Sequence, residues 1–136
     1  MSSERNIESA LARFLTGSPG LCTFQQRCGD YLLIERGGEV FPCDFFGRPE
    51  WLLGYVGERP LVEYLEQVRE EKFGKLKGEA AAECRECEYW AFCHGGCPRD
   101  RDASGRSHHC EGYKRFFAAT AVRLRQLAAD FKRAGR

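Results

Sequence analysis

At 136 residues the chain has room for one ordinary domain rather than two, and with 43% hydrophobic and 30% charged residues it has the composition of a folded, soluble protein and not of a disordered one. Lys and Arg number 21 against 20 Asp and Glu, and the formal net charge of +1 supplies no broad field for steering nucleic acid or an anionic membrane, so neither is expected as a partner. The longest apolar runs, such as Tyr31 to Ile34 and Ala80 to Ala82, fall far short of a membrane span, and the polar start Ser2-Ser3-Glu4-Arg5-Asn6 does not read as a signal peptide; a cytoplasmic location is expected.

The first predicted element is a short amphipathic helix over Ile7 to Leu15. Ile7, Ala10, Leu11, Phe14 and Leu15 share one face, and Gly17 followed by Pro19 supplies a stop. Its stripe must be buried, either against this chain or against an absent partner domain. From Tyr31 to Cys43, two β-prone runs flank Gly37-Gly38, a dipeptide that tolerates positive φ, and this predicts a hairpin. A third extended piece is expected over Trp51 to Val56. A helix is expected from Leu61 to Val68, with Pro60 near its start and Leu61, Leu65 and Val68 on its inner face. Between Phe73 and Gly78 the pattern loosens into charge and glycine, and no regular structure is expected from Glu79 to Cys97. A terminal amphipathic helix from about Gly112 to Lys132 carries Tyr113, Phe117, Thr120, Leu124, Leu127 and Phe131 as a core-facing stripe.

The cysteines carry the chemistry. In order they read Cys22-x5-Cys28-x14-Cys43-x40-Cys84-x2-Cys87-x5-Cys93-x3-Cys97-x12-Cys110. Eight thiols make two sets of four, and four thiolates are what a four-iron cluster or a tetrahedral zinc ion requires. The pair Cys84-x2-Cys87 is a short chelating turn that both metals accept, and Gly29, Gly95 and Gly96 sit beside candidate ligands, where the backbone must turn sharply. Eight buried thiols acting as small hydrophobes would need no such glycines, and a disulfide framework fits poorly with a reducing cytosol. Spacing alone does not separate iron from zinc. His94, His108 and His109 are able in principle to complete mixed zinc sites, but eight cysteines already satisfy two metals, so the histidines read as exposed or supporting residues.

The run from Cys22 through Phe117 resembles the twin-cluster SPASM domain of radical S-adenosylmethionine enzymes, and within that family the anaerobic sulfatase-maturating enzymes. The resemblance is carried by Leu21-Cys22, Cys28-Gly29, the Gly38-Glu39-Val40-Phe41-Pro42-Cys43-Asp44-Phe45-Phe46 run and Leu53-Gly54. It continues through Cys84-Arg85-Glu86-Cys87, Cys93-His94-Gly95-Gly96-Cys97-Pro98-Arg99-Asp100-Arg101 and Cys110-Glu111-Gly112-Tyr113-Lys114-Arg115-Phe116-Phe117. Together these span about seven-tenths of the chain. The resemblance implies an α+β fold: a small cysteine-rich, metal-stabilised domain with a β-hairpin, an irregular cysteine knuckle and flanking amphipathic helices. Residues 1–20 would be an N-terminal helix and linker, 21–117 the twin-cluster domain and 118–136 the rest of the last helix.

Carried over position by position, the family scheme implies one [4Fe-4S] cluster on Cys22, Cys28, Cys43 and Cys97 and a second on Cys84, Cys87, Cys93 and Cys110, with two Zn2+ as the alternative. It implies electron relay during oxidation of a sulfatase Cys or Ser to formylglycine, and it aligns Asp44 with the family's proton acceptor. The radical step in such enzymes belongs to a Cys-x3-Cys-x2-Cys motif in a barrel that binds S-adenosylmethionine. Here Cys93-x3-Cys97 is followed by Asp100 where that motif has its third cysteine, so no reaction is expected of these residues without a barrel supplied in cis or trans. Arg99 and Arg101 would lie in solvent or pair with carboxylates of that barrel. The competing expectations are a free-standing iron-sulfur electron-transfer or peptide-binding protein and a zinc-stabilised interaction module.

Overall fold

The computed structural model describes residues 4–135. Ser2 and Ser3 of the expected polar start, and Arg136 at the far end of the expected last segment, lie outside the described residues. In chain order the elements are α1 (Arg5–Thr16), β1 (Leu33–Ile34), β2 (Glu39–Phe41), β3 (Gly54–Tyr55), α2 (Leu61–Glu70), α3 (Lys72–Lys75), α4 (Ala82–Arg85), α5 (Trp90–Cys93) and α6 (Cys110–Ala134), with several 3₁₀ turns between them. Helices and one small sheet in separate stretches make the fold α+β. Among the described residues no helix is long and apolar enough to cross a membrane. The elements group into two units, one formed by the chain up to Gln26 together with everything from Ala80 onward, the other by Arg27–Glu79.

In the first unit α1 begins where the Glu4 carboxylate accepts the Ile7 N–H at 2.7 Å, and it ends where Gly17, at φ +83°, returns its own N–H to the Arg13 carbonyl. It lies along α6, and Ala10, Phe24, Phe117 and Leu124 form a buried cluster flanked by Leu11, Phe14 and Phe92. The α1 stripe is thus buried within this chain. The rings of Tyr113 and Phe117 meet Phe24 edge-on, each with centroids 5.4 Å away. The expected α6 stripe needs correction at its end. Phe117, Leu124 and Ala128 are buried, whereas Leu127 and Phe131 are exposed, because the contact ridge follows small residues that let the helices approach. On α1, Ile7 is likewise exposed, and Ser9 and Ala10 are the buried positions.

The second unit holds an antiparallel sheet in the order β1-β2-β3, pairing Leu33 with Phe41 and Ile34 with Val40, then Glu39 with Tyr55 and Val40 with Gly54. The expected hairpin is present, and Gly38 takes φ +91° in its turn. The third extended piece is a strand over Gly54–Tyr55 alone, since Pro49–Trp51 forms a 3₁₀ turn. On α2 the inner face is centred on Tyr64 and Val68 rather than on Leu61, which is exposed as the first helical residue. The Tyr64 hydroxyl donates to the Tyr55 carbonyl at 2.9 Å and so joins helix to sheet.

Where the sequence pattern loosens, α3 and a 3₁₀ turn over Leu76–Glu79 bury Phe73 and Leu76 beside Cys43 and Val68. Gly74 makes that fold-back possible: a Cβ there would lie 2.1 Å from the Arg69 carbonyl oxygen. The charges that mask the pattern in sequence alternate with these few inward apolar residues.

Candidate metal centre

None of the eight cysteines is joined in a disulfide. In the first unit Cys84, Cys87, Cys93 and Cys110 line one cavity of about 200 Å³. The segment expected to be irregular brings them there through two single helical turns. Cys84 lies in α4, the Cys87 N–H bonds back to the Cys84 carbonyl at 3.2 Å, and the Trp90 N–H bonds to the Cys87 carbonyl at 2.9 Å. Cys93 is the last residue of α5 and Cys110 the first of α6. One-turn helices escape detection from sequence because they are shorter than any periodicity window.

After Cys93 the chain makes a left-handed run, with φ of +45° at His94, +73° at Gly95 and +69° at Gly96. A Cβ at Gly95 would lie 2.8 Å from the Ala80 Cβ, and one at Gly96 would lie 2.9 Å from Tyr113 Cε2. The two glycines therefore meet both a conformational and a steric requirement. Gly96→Ala is expected to cost about 1–3 kcal/mol of stability, measured by chemical denaturation.

Arg101 holds this run from outside: its Nε donates to the Gly95 carbonyl at 3.1 Å and its Nη2 to the His94 carbonyl at 3.2 Å. The expectation that Arg101 faces solvent or a partner is corrected accordingly. Arg99 pairs with its neighbour Asp100 at 3.1 Å. None of the three histidines lines the cavity; His94 is buried with its ring edge-on to Trp90, and His108 and His109 are exposed.

The electrostatics follow from crowding four thiols together. Burial pushes the Cys93 thiol up, opposed by a hydrogen bond from the Gly95 N–H and reinforced by the charges of Cys87, Cys84 and Cys110. Burial likewise pushes up Cys84, with Cys110 the largest neighbouring charge. Four thiolates repel one another until a cation joins them, so this donor set suits a soft metal or a metal-sulfide core. Tyr113 beside the cavity is pushed up to about 12, chiefly by burial, and stays a neutral phenol. Among the described residues no three His, Cys, Asp or Glu side chains converge tightly enough to hold one ion.

Of the remaining cysteines, Cys22 opens a 3₁₀ turn (Cys22–Phe24) and, with Cys97, belongs to the first unit; Cys28 and Cys43 belong to the second. Within the second unit Cys28 packs beside the cluster that buries Cys43. Gly29 sits at φ +106° under α2, and Arg69 Nε donates to its carbonyl at 2.9 Å. Asp44 opens the next 3₁₀ turn (Asp44–Phe46). The Tyr31 hydroxyl donates to Asp44 Oδ1 at 2.9 Å and lies 3.3 Å from Cys43 Sγ, while the Cys43 thiol donates to the same carboxylate oxygen at 3.2 Å. The Tyr31 hydrogen bond, followed by that from Cys43, holds the Asp44 carboxyl below its ordinary range, and burial pushes the Cys43 thiol up. Sequence inspection places Tyr31 only at the head of an apolar run; its hydroxyl contact spans thirteen positions and has no local signal.

Four thiols lining one cavity, with positive-φ glycines beside Cys28 and Cys97, make this a cysteine-rich domain, and the family comparison makes the class specific. The profile of SPASM, an iron-sulfur cluster-binding domain, matches residues 22–88, and the chain belongs to this family. Its relatives are anaerobic sulfatase-maturating enzymes. It is 33% identical over 122 residues to the serine-type enzyme of Bacteroides thetaiotaomicron, an alignment covering 85% of this chain and 30% of that one. To the cysteine-type enzyme of Clostridium perfringens it is 31% identical over 133 residues, covering 94% and 36%. The solved structure of native anSMEcpe with bound AdoMet and the Kp18Cys peptide superposes with a TM-score of 0.80 at 30% identity, covering 93% of this chain and 36% of that one. The chain thus spans about a third of the length of the relatives it matches.

Proposed function

We propose that this chain is the auxiliary part of a peptide-modifying radical enzyme, in which it holds two [4Fe-4S] clusters that serve electron relay while a sulfatase Cys or Ser is oxidised to formylglycine. The cavity lined by Cys84, Cys87, Cys93 and Cys110 is the observation that carries this reading. A single zinc ion would need its four sulfurs drawn to about 2.3 Å from one point, whereas a polynuclear core needs thiols spread around a volume. When bound, a cluster with every iron ligated by thiolate supplies one-electron redox capacity.

The second quartet, Cys22, Cys28, Cys43 and Cys97, is supported by the family scheme and by the match over residues 22–88. Metal binding would supply part of the folding free energy of residues 21–117. A barrel binding S-adenosylmethionine completes the enzyme in cis or trans, and the peptide is its substrate; the named relatives and the bound AdoMet and peptide of anSMEcpe support both. A reducing cytoplasm suits eight cysteines outside any disulfide. Asp44 serves as the proton acceptor for the substrate thiol or hydroxyl, oriented by the Tyr31 hydroxyl at 2.9 Å.

The test is anaerobic reconstitution followed by iron, sulfide and zinc analysis with a visible spectrum. A brown chain bleached by dithionite, with about eight irons as two four-iron clusters require, is expected. Colourless protein carrying two zinc ions overturns the proposal in favour of a zinc-stabilised interaction module. Mixing the loaded chain with a separately prepared barrel and a sulfatase peptide should then yield formylglycine by mass spectrometry; no product in any combination leaves a free-standing iron-sulfur protein.

A further inference from the structure

The geometry points to Arg106 as a positioning residue for the metal centre on Cys84, Cys87, Cys93 and Cys110: its guanidinium straps the rim of the cavity, ties together the two helices that carry Cys84 and Cys110, and raises the reduction potential of the cluster held there. This inference rests on the iron-sulfur reading above.

Two ion pairs converge on that one side chain. Arg106 Nη1 lies 3.6 Å from Glu83 Oε1, and Nη2 lies 2.6 Å from Glu111 Oε1. Glu83 immediately precedes Cys84 in α4, and Glu111 immediately follows Cys110 at the start of α6. The Arg106 guanidinium is pushed up, first by the Cys110 thiol and then by Glu83 and Glu111. Arg106, Glu83, Cys84 and Cys110 all line the same cavity. Sequence separates α4 from α6 by a long connection, so a bridge at this point fixes the spacing of two ligands that the backbone alone leaves loose.

The loop that presents Arg106 is itself held. Asp102 Oδ1 accepts the Ser104 N–H at 2.8 Å and the Arg106 N–H at 3.2 Å, and the Asp102 N–H returns to the Arg106 carbonyl at 2.9 Å. An aspartate turn of this kind aims the following side chain without borrowing the core.

Magnitudes separate a role at the site from a role in stability. The Arg106 side chain is 38% exposed and its partners Glu83 and Glu111 are 65% and 66% exposed, and ion pairs so open to water contribute little to folding. What the arrangement does supply is a cation in the wall of the cavity that Cys110 also lines. Reduction adds negative charge to a cluster already surrounded by four thiolates and two carboxylates, so a cation in the cavity wall favours the reduced state. Lysine would keep the charge but not the planar fork that reaches both carboxylates at once.

The experiment uses the reconstituted full chain with Arg106→Gln, Arg106→Lys and the double variant Glu83→Gln with Glu111→Gln. Iron per chain, circular dichroism, potentiometric titration and iron release to a chelator are measured for each. Arg106→Gln should fold, shift one reductive step to more negative potential while leaving the other in place, and lower metal retention about 10–100-fold at one site, the usual effect of removing a residue that orients a ligand. Arg106→Lys should recover part of the potential but not the retention. The double variant should lower retention with a smaller change in potential. An iron-loaded Arg106→Gln protein with both potentials and retention unchanged overturns the inference and leaves the cluster reading standing. If Arg106→Gln fails to fold, unchanged retention and potential in the other two variants overturn it equally. A parent chain that takes up no iron removes the cluster reading itself, and the strap falls with it.

Discussion

Cys93→Ala is expected to remove about four of about eight irons from the reconstituted chain, the complement of one four-iron cluster, and to disorder the chain between Ala80 and His109 while α1 and α6 stay helical. The reason lies in how little else holds that stretch. Its regular structure consists of two four-residue helices and a left-handed run, none of which is stable alone in water. The α1–α6 pair, by contrast, has its own buried cluster of Ala10, Phe24, Phe117 and Leu124. Arg27–Glu79 has another, built on Val68, Phe73 and Leu76 with Phe46 and Trp51 edge-on to Phe73. Hydrogen exchange should therefore show fast exchange confined to the cysteine stretch, with slow amides retained in α6 and α2. Full iron content in Cys93→Ala would remove Cys93 from the ligand set, and a wholly unfolded chain would show that the two clusters of side chains do not stand without metal.

Elements with a clear period are legible in the amino-acid sequence. The hairpin about Gly37-Gly38 and the helices α1, α2 and α6 lie where alternation and three-to-four spacing put them. What periodicity does not encode is which residue of a stripe ends up innermost. On α6 the choice of Ala128 over Leu127 is made by the close approach of α1, and on α2 Tyr64 is drawn in by the Tyr55 carbonyl. The short helices α3, α4 and α5 escape for a different reason: each is a single turn fixed by what flanks it, whether Gly74 under Arg69 or the cysteine turn at Cys84. The thiols themselves are the strongest signal in the chain, and four of them share a cavity. The groups that hold and tune them are not legible, because Arg101 acts on carbonyls and Arg106 on carboxylates through contacts that any surface arginine is able to make.

Asp44→Asn is expected to lower formylglycine formation by about 10²–10⁴-fold in the chain completed by its barrel, the usual span for losing a positioned base, with iron content unchanged. The carboxylate meets the geometric demand on a base because two donors fix it: the Tyr31 hydroxyl at 2.9 Å and the Cys43 thiol at 3.2 Å. Ligation of Cys43 to iron would take away its proton and with it the second donor, which leaves Tyr31 as the residue that orients Asp44. Those same bonds lower the carboxyl's affinity for a proton, so Asp44 is ionised at neutral pH and ready to accept, at some cost in basicity. Tyr31→Phe separates the two effects. It frees the carboxylate to rotate and raises its proton affinity, so the rate should fall less than in Asp44→Asn, by about tenfold if one hydrogen bond to a charged acceptor, of roughly 1.5 kcal/mol, is lost. Asp44→Asn that keeps full activity on an iron-loaded protein would assign the proton transfer to another group, whereas a loss in Tyr31→Phe as deep as that in Asp44→Asn would make the phenol itself part of the proton path.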